Sequence, residues 1–125
     1  MEMKSKEAKQ SQRFGQISFS AVYPLYLAKI EKKGRTPEEL NEVIRWLTGL
    51  GGRKLRNLLK LEVSVEEFFN QAKLNPNAQW ITGVICGYRV EKIKDPLLQK
   101  VRYLDKLVDE LAKGRAMEKI LRTPL

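Results

Sequence analysis

Histidine is absent from this 125-residue chain and cysteine occurs once, at Cys86. The first absence removes imidazole general bases, Ser/His/Asp and Cys/His arrangements, and the commonest side-chain ligand of transition metals. The second excludes an internal disulfide and any multi-cysteine zinc site, and fits a reducing compartment. Catalysis, if present, falls to carboxylates, lysine, arginine, tyrosine or a lone thiol. Long hydrophobic runs are missing as well. The longest, Ala21 to Ala28, is interrupted by Pro24 and is far below the ~20 apolar residues that span a bilayer. Met1 to Gln12 is polar and charged, with no apolar stretch before a cleavage site, so no secretory signal is read there. The expected location is the cytoplasm, with no membrane association, no metal and no cofactor.

What is present is a chain of the size of one domain, 42% hydrophobic, with enough apolar material for one core. Residues 1–13 have almost no apolar content and are expected to form a flexible polar tail. Residues 14–125 are expected to form a single, mainly α domain, a compact bundle of about five to six short helices. Gln16 to Ser20 alternates around Ile17 and Phe19 and reads as a minor extended segment near the N-terminus, ending on Ser20 as a helix cap.

The helical pattern starts at Ala21, with Val22, Leu25, Tyr26, Lys29 and Ile30 on one side and Gly34 as its stop. Thr36-Pro37-Glu38-Glu39 is a capping box with proline at the first helical position. It opens a helix striped by Leu40, Val43, Ile44 and Leu47 and ended by Gly49. After Gly51 and Gly52, Leu55, Leu58 and Leu59 share one face, while Arg53, Arg56, Asn57 and Lys60 share the opposite one. Ser64 with Glu67 opens a short helix that buries Val65, Phe68 and Phe69. Ala78 to Ile93 fits a helix with Ile81, Val84, Ile85 and Tyr88 on one face, the favoured reading. As a strand it would need Gln16 to Ser20 as its partner. Asp95-Pro96 starts the clearest helix, with Leu97, Val101, Leu104, Val108 and Leu111 at alternating spacings of four and three. Trp46-Leu47-Thr48-Gly49 recurs as Trp80-Ile81-Thr82-Gly83, a shared local turn rather than a repeat, because the flanks differ.

The net charge of +9 is concentrated in the first half: residues 1–60 hold 13 basic and 6 acidic groups. Between Glu42 and Glu62 stand Arg45, Arg53, Lys54, Arg56 and Lys60 with no acid among them, which implies an electropositive patch. Gly49-Leu50-Gly51-Gly52 before it lacks the spacing of a phosphate-binding P-loop.

Val22-Tyr23-Pro24-Leu25-Tyr26, Glu31-Lys32-Lys33-Gly34-Arg35-Thr36, Trp46-Leu47-Thr48-Gly49, Ile81-Thr82-Gly83-Val84-Ile85-Cys86-Gly87, Asp95-Pro96 and the run from Arg102 to Leu111 form a set of motifs. In these motifs the chain resembles a family of short bacterial proteins known as domain of unknown function number twenty-two hundred. The resemblance extends from about Phe19 to Arg122 and implies no established activity. Where the family usually follows Trp-Leu-Thr-Gly with a Tyr-Asp stretch, this chain has Leu50-Gly51-Gly52-Arg53-Lys54.

Two functions are weighed on these residues. The favoured one is a non-enzymatic binding or adaptor module whose basic helix, through Arg53, Lys54, Arg56 and Lys60, meets a polyanion or an acidic protein. The alternative is a small enzyme or small-ligand protein that uses Tyr23, Arg89, Asp105 and Asp109 around a pocket between helices. Asp105 and Asp109 lie one helical turn apart beside Arg102 and Lys106, a spacing that favours ion pairing along the helix over catalysis. Cys86, next to Ile85 and Val84, is read as a buried small hydrophobe, and Trp46, Trp80, Tyr23, Tyr26, Tyr88 and Tyr103 as core or core-edge aromatics, with a ligand-lining role for some of them as the alternative. Leu98 and Leu107 widen the C-terminal stripe, and Met117, Ile120 and Leu121 extend apolar surface past Gly114. A homodimer through this region is one expectation, and a fold-back of residues 115–121 onto the same chain is the other. Light scattering on the full chain and on a chain ending at Gly114 separates them: loss of a dimer on truncation is the outcome expected of the first.

Overall fold

The computed structural model describes residues 6–122, so the first five residues of the expected tail, Lys4 among them, lie outside the described residues. Local signals start most helices. In α2 (Phe19–Glu31) the Ser18 hydroxyl accepts from the Ala21 amide. In α3 (Pro37–Thr48) Thr36 and Glu39 complete the capping box in both directions. Ser64 caps α5 (Val65–Asn70), and Asp95 caps α6 (Pro96–Ala112) by accepting from the Leu98 amide at 3.0 Å. Each bond satisfies an amide that the first helical turn leaves without a partner. The basic helix α4 (Gly52–Lys60) starts without one, because its cap residue, Gly51, has no side chain to offer.

The fold is mainly helical, with seven α-helices and one two-stranded hairpin among the described residues. Helix α6 is the centre, and α1 (Lys6–Gly15), α2, α3, α5 and α7 (Met117–Ile120) all pack against it. Its buried residues go well round the helix: Leu98, Val101, Tyr103, Leu104, Leu107, Val108 and Leu111, with Arg102 and Glu110 among them. A helix apolar on one stripe lies on a surface, whereas one buried nearly all round is a core element. Ile30, Leu40, Val43, Ile44 and Leu47 meet it from α2 and α3, and Phe19 stacks on Phe68 at 3.7 Å between ring centroids.

Several expectations are corrected. Residues 6–13 are helical: α1 packs on α5 and α6, and Glu7 accepts from the Lys94 and Asp95 amides at 2.9 and 3.0 Å, ahead of α6. Phe14 supplies its apolar contact with the core, and Gly15 lets it approach closely, since a Cβ there would sit 3.1 Å from Leu97. Helix α2 starts two residues early, on Ser18 instead of Ser20, and Leu25 faces outward, 70% exposed. The extended residues around Ser18 bridge to Ser64, through bonds from Phe19 to Val63 and from Val65 to Ile17.

Residues 78–93 are not a helix. A short 3-10 turn (Pro76–Trp80) leads to β1 (Val84–Ile85), which pairs with β2 (Tyr88–Arg89) across a two-residue turn. Cys86 and Gly87 both have positive φ, 52° and 84°, as a tight hairpin demands. The strand partner was therefore local. Cys86 is exposed at this turn instead of buried, and Trp80 is also exposed.

At the other end, α7 folds back. Ile120 is fully buried, and Met117 and Leu121 pack on the core. Leu98 and Leu107, which widened the apolar stripe, are internal. The apolar residues that suggested a dimer are thus largely covered by their own chain. Glu110 holds this return in place: Arg122 grips its carboxylate with two nitrogens at 2.8 and 2.7 Å, and Arg115 adds a third contact at 2.8 Å. Leu104 is 1% exposed at the middle of the central helix. Truncation of Leu104 to alanine is expected to destabilise the protein by about 2 to 5 kcal/mol in denaturant unfolding. A variant that unfolds with its parent would contradict the packing described.

Candidate functional site

Two surfaces could serve a ligand, and they come from different elements. The first is a cavity of about 320 Å³ between α1, α2, α5 and α6. Its walls are mostly apolar, with Phe14, Val22, Val65, Phe69 and Val101 lining it and Ile17, Ala21 and Leu25 at its outer parts. Such a volume is at the lower end of small-molecule sites. One part of the wall is polar: Tyr26, Arg102 and Asp105.

The polar wall follows from helix geometry. Arg102 and Asp105 are three residues apart on α6, so they share a face, and Tyr26 comes from α2 opposite them. The Tyr26 hydroxyl donates to one Asp105 oxygen at 2.5 Å, and Arg102 Nη1 donates to the other at 2.8 Å. Nη1 also lies 3.3 Å from the Cys86 sulfur, and the Phe14 ring centroid is 5.1 Å from the guanidinium carbon. Burial, then the neighbouring Asp105 carboxylate, holds the Tyr26 pKa well above 10, so its hydroxyl stays a donor. Arg102 is 8% exposed. One turn further along, Asp109 meets Lys29 at 3.5 Å and Lys113 at 3.0 Å.

The second surface is α4. Arg53, Lys54, Arg56 and Lys60 are all exposed, and none of them joins an ion pair among the described residues. Leu55 and Leu58 anchor the helix from behind. Arg45 from α3 and Arg56 line a smaller hollow of about 200 Å³ with Tyr23, Asn41 and Gly52, next to the uncapped start of α4.

The four residues expected around one pocket do not gather there. Tyr23 donates to Asn41 at 2.6 Å, on the α3 and α4 side of α2. Arg89 is paired with Glu91 at 3.0 Å on the hairpin, and Glu91 also accepts from the Gly83 amide at 2.9 Å. Asp109 is held by its two lysines, and Asp105 alone lines the cavity. Its companions, Tyr26 and Arg102, are not assigned to a site by the sequence: Tyr26 reads as a core-edge aromatic and Arg102 as an ion-pairing neighbour of the α6 carboxylates. That pairing is present, at 2.8 Å to Asp105, but Arg102 is buried, which the stripe on α6 does not foretell. No group of three acidic or cysteine residues suited to a metal ion occurs among the described residues, and no described helix is long and apolar enough to cross a membrane.

These features define a small helical domain with a mostly apolar cavity open beside α2 and a separate basic face. The chain belongs to the family described as an uncharacterized protein conserved in bacteria (DUF2200), whose pattern matches residues 13–122. It is similar to a solved structure titled "Crystal structure of uncharacterized protein SP1917": 43% identity over 88% of this chain and 91% of that one, with a TM-score of 0.83. No curated protein matches the sequence.

Burial raises the Asp109 pKa, but the hydrogen bond and charge of Lys113 and then the charge of Lys29 outweigh it, so the net shift is below the ordinary 3.8. A carboxylate with a lowered folded-state pKa adds stability above its unfolded pKa and loses it as pH falls through the folded value. Asp109→Asn is therefore expected to unfold at lower denaturant than the parent at neutral pH, with the gap closing below about pH 3.8. A gap that persists undiminished in acid would assign the effect to packing instead.

Proposed function

We propose that this protein is a non-enzymatic binding module that docks α4 on the phosphate backbone of a nucleic acid. The observation that carries this reading is an exposed set of four cations, Arg53, Lys54, Arg56 and Lys60, none of them neutralised by an acid of its own chain among the described residues. Arg53, Arg56 and Lys60 recur at spacings of three and four, so they line one face and can follow a row of phosphates. Arg45 extends the field from α3, and the uncapped amides at the start of α4 add positive potential beside it. Paired surface cations have little to gain from phosphate, whereas free ones release the counterions that phosphate has condensed. With no base-reading motif in the chain, the contact is to backbone and independent of sequence.

Duplex DNA and single-stranded RNA of mixed sequence, titrated at 50 and 200 mM salt, test the proposal. Three to four phosphate contacts imply a loss of roughly 40- to 150-fold in duplex affinity across that range. The triple variant Arg53→Glu, Arg56→Glu, Lys60→Glu is expected to abolish binding while it melts close to the parent, because all three side chains are exposed. Absence of binding at 50 mM salt, or binding unaffected by the triple variant, would overturn the reading. In the first case an acidic protein surface becomes the partner to test.

A further inference from the structure

The hollow of about 200 Å³ beside α4 differs from the open row of cations next to it, because it is concave and two elements supply its charge. Arg45 of α3 and Arg56 of α4 both line it, and no acid does. The head group of Arg56 is placed there by contact: Nη1 lies 3.4 Å from the point where a Cβ on Gly52 would stand, and Gly52 lines the same hollow. Both arginines are exposed, and neither joins an ion pair among the described residues. Glu42 lines a neighbouring hollow with Arg45, but the two are not within ion-pair distance. Two like charges at one concave site repel each other, so the arrangement gains most from an anion that both can reach.

The remaining wall adds a donor and no charge. Tyr23 donates to Oδ1 of Asn41 at 2.6 Å, and Nδ2 of Asn41 has no acceptor among the described contacts. Burial, against the hydrogen bond to Asn41 and with the charges of Glu38 and Glu31, holds the Tyr23 pKa above its ordinary 10.0, so its hydroxyl stays neutral. Glu38 and Glu31 themselves do not line the hollow, and Leu55 and Leu59 form its apolar side.

We infer that this hollow seats a terminal phosphate monoester, the end of a nucleic-acid strand whose inner phosphates run along α4 past Arg53 and Lys60. The inference rests on the docking of α4 proposed above and adds a preference for strand ends. A monoester carries roughly −1.5 to −2 charges near pH 7 and three acceptor oxygens, enough for both guanidiniums, whereas an inner diester carries one charge. An inner phosphate also has chain on both sides, which a concave site must admit. An end has it on one side only.

Fluorescence anisotropy on the full chain at low salt tests this with short single strands of mixed DNA sequence. Strands phosphorylated at the 5′ end or at the 3′ end are compared with the hydroxyl-ended strand, and with a hydroxyl-ended strand one nucleotide longer that matches the phosphate count. Phosphate at an end is expected to raise affinity about tenfold over both hydroxyl-ended strands, the worth of one charge-assisted contact. Arg45→Gln is expected to bring that ratio close to one. Lys60→Gln is expected to weaken phosphorylated and hydroxyl-ended strands alike and to keep the ratio. The corresponding mononucleotide lacks the contacts along α4 and is expected to compete only at far higher concentration than the phosphorylated strand. Salt-dependent binding with no gain from an end phosphate would overturn the inference and leave the docking of α4 standing, whereas no binding of any strand would overturn both. A preference that survives Arg45→Gln would place the end outside the hollow and overturn the inference. A mononucleotide that binds as tightly as the strand would assign the hollow to a free phosphorylated metabolite instead of a strand end.

Discussion

A helix with neighbours on nearly every side must give each polar group it carries a partner inside the protein, and α6 is such a helix. Its two buried charges, Arg102 at 8% and Glu110 at 6% exposure, cannot turn to water. Glu110 is answered in full by Arg115 and Arg122, which arrive from the chain beyond α6. That ion cluster is what turns the last described residues back onto the core. Breaking it would leave an unpaired charge in a dry site, a greater penalty than the loss of any surface pair.

Arg102 is answered only in part. Asp105 and Tyr26 form a short chain of hydrogen bonds beside it, Cys86 approaches from the hairpin, and Phe14 covers it from α1. Contacts from α6, the hairpin and α1 therefore converge on one guanidinium, and Tyr26 of α2 joins them through Asp105. Its Nε is buried and has no acceptor among the described residues. The same residue ties α6 to the hairpin and to α1.

Helix α2 stands between the two candidate surfaces. It is apolar along most of its length, yet only Phe19 and Ile30 are buried in it. Tyr26 and Val22 turn to the cavity, Tyr23 turns to the hollow beside α4, and Leu25 is left at the outer rim. Core packing is incomplete on this side because α1 and α5 meet α6 without closing over α2. The basic helix is attached through Leu55 and Leu58 and shares none of the cavity lining, so charge on one surface and shape on the other can vary independently.

What the sequence determined by itself is local. The capping residues Thr36, Ser64 and Asp95, the prolines that follow two of them, and the stops at Gly34, Gly49 and Gly114 set helix limits, because a cap needs only bonds within three or four residues. Exposure of Arg53, Arg56 and Lys60 was equally legible, since their leucine neighbours fix which face turns inward. Residues 78–93 were not legible: Ile81, Val84 and Ile85 fit a helical face and a strand equally, and the positive φ of Cys86 and Gly87 that decides between them belongs to a turn. Nor was α1, whose order depends on Glu7 reaching amides that are 87 and 88 residues away in the chain. The cavity and its polar wall are tertiary altogether. Tyr26 and Asp105 are 79 residues apart, and only the packing of α2 against a nearly surrounded α6 brings them together beside Arg102, whose buried Nε has no acceptor among the described residues.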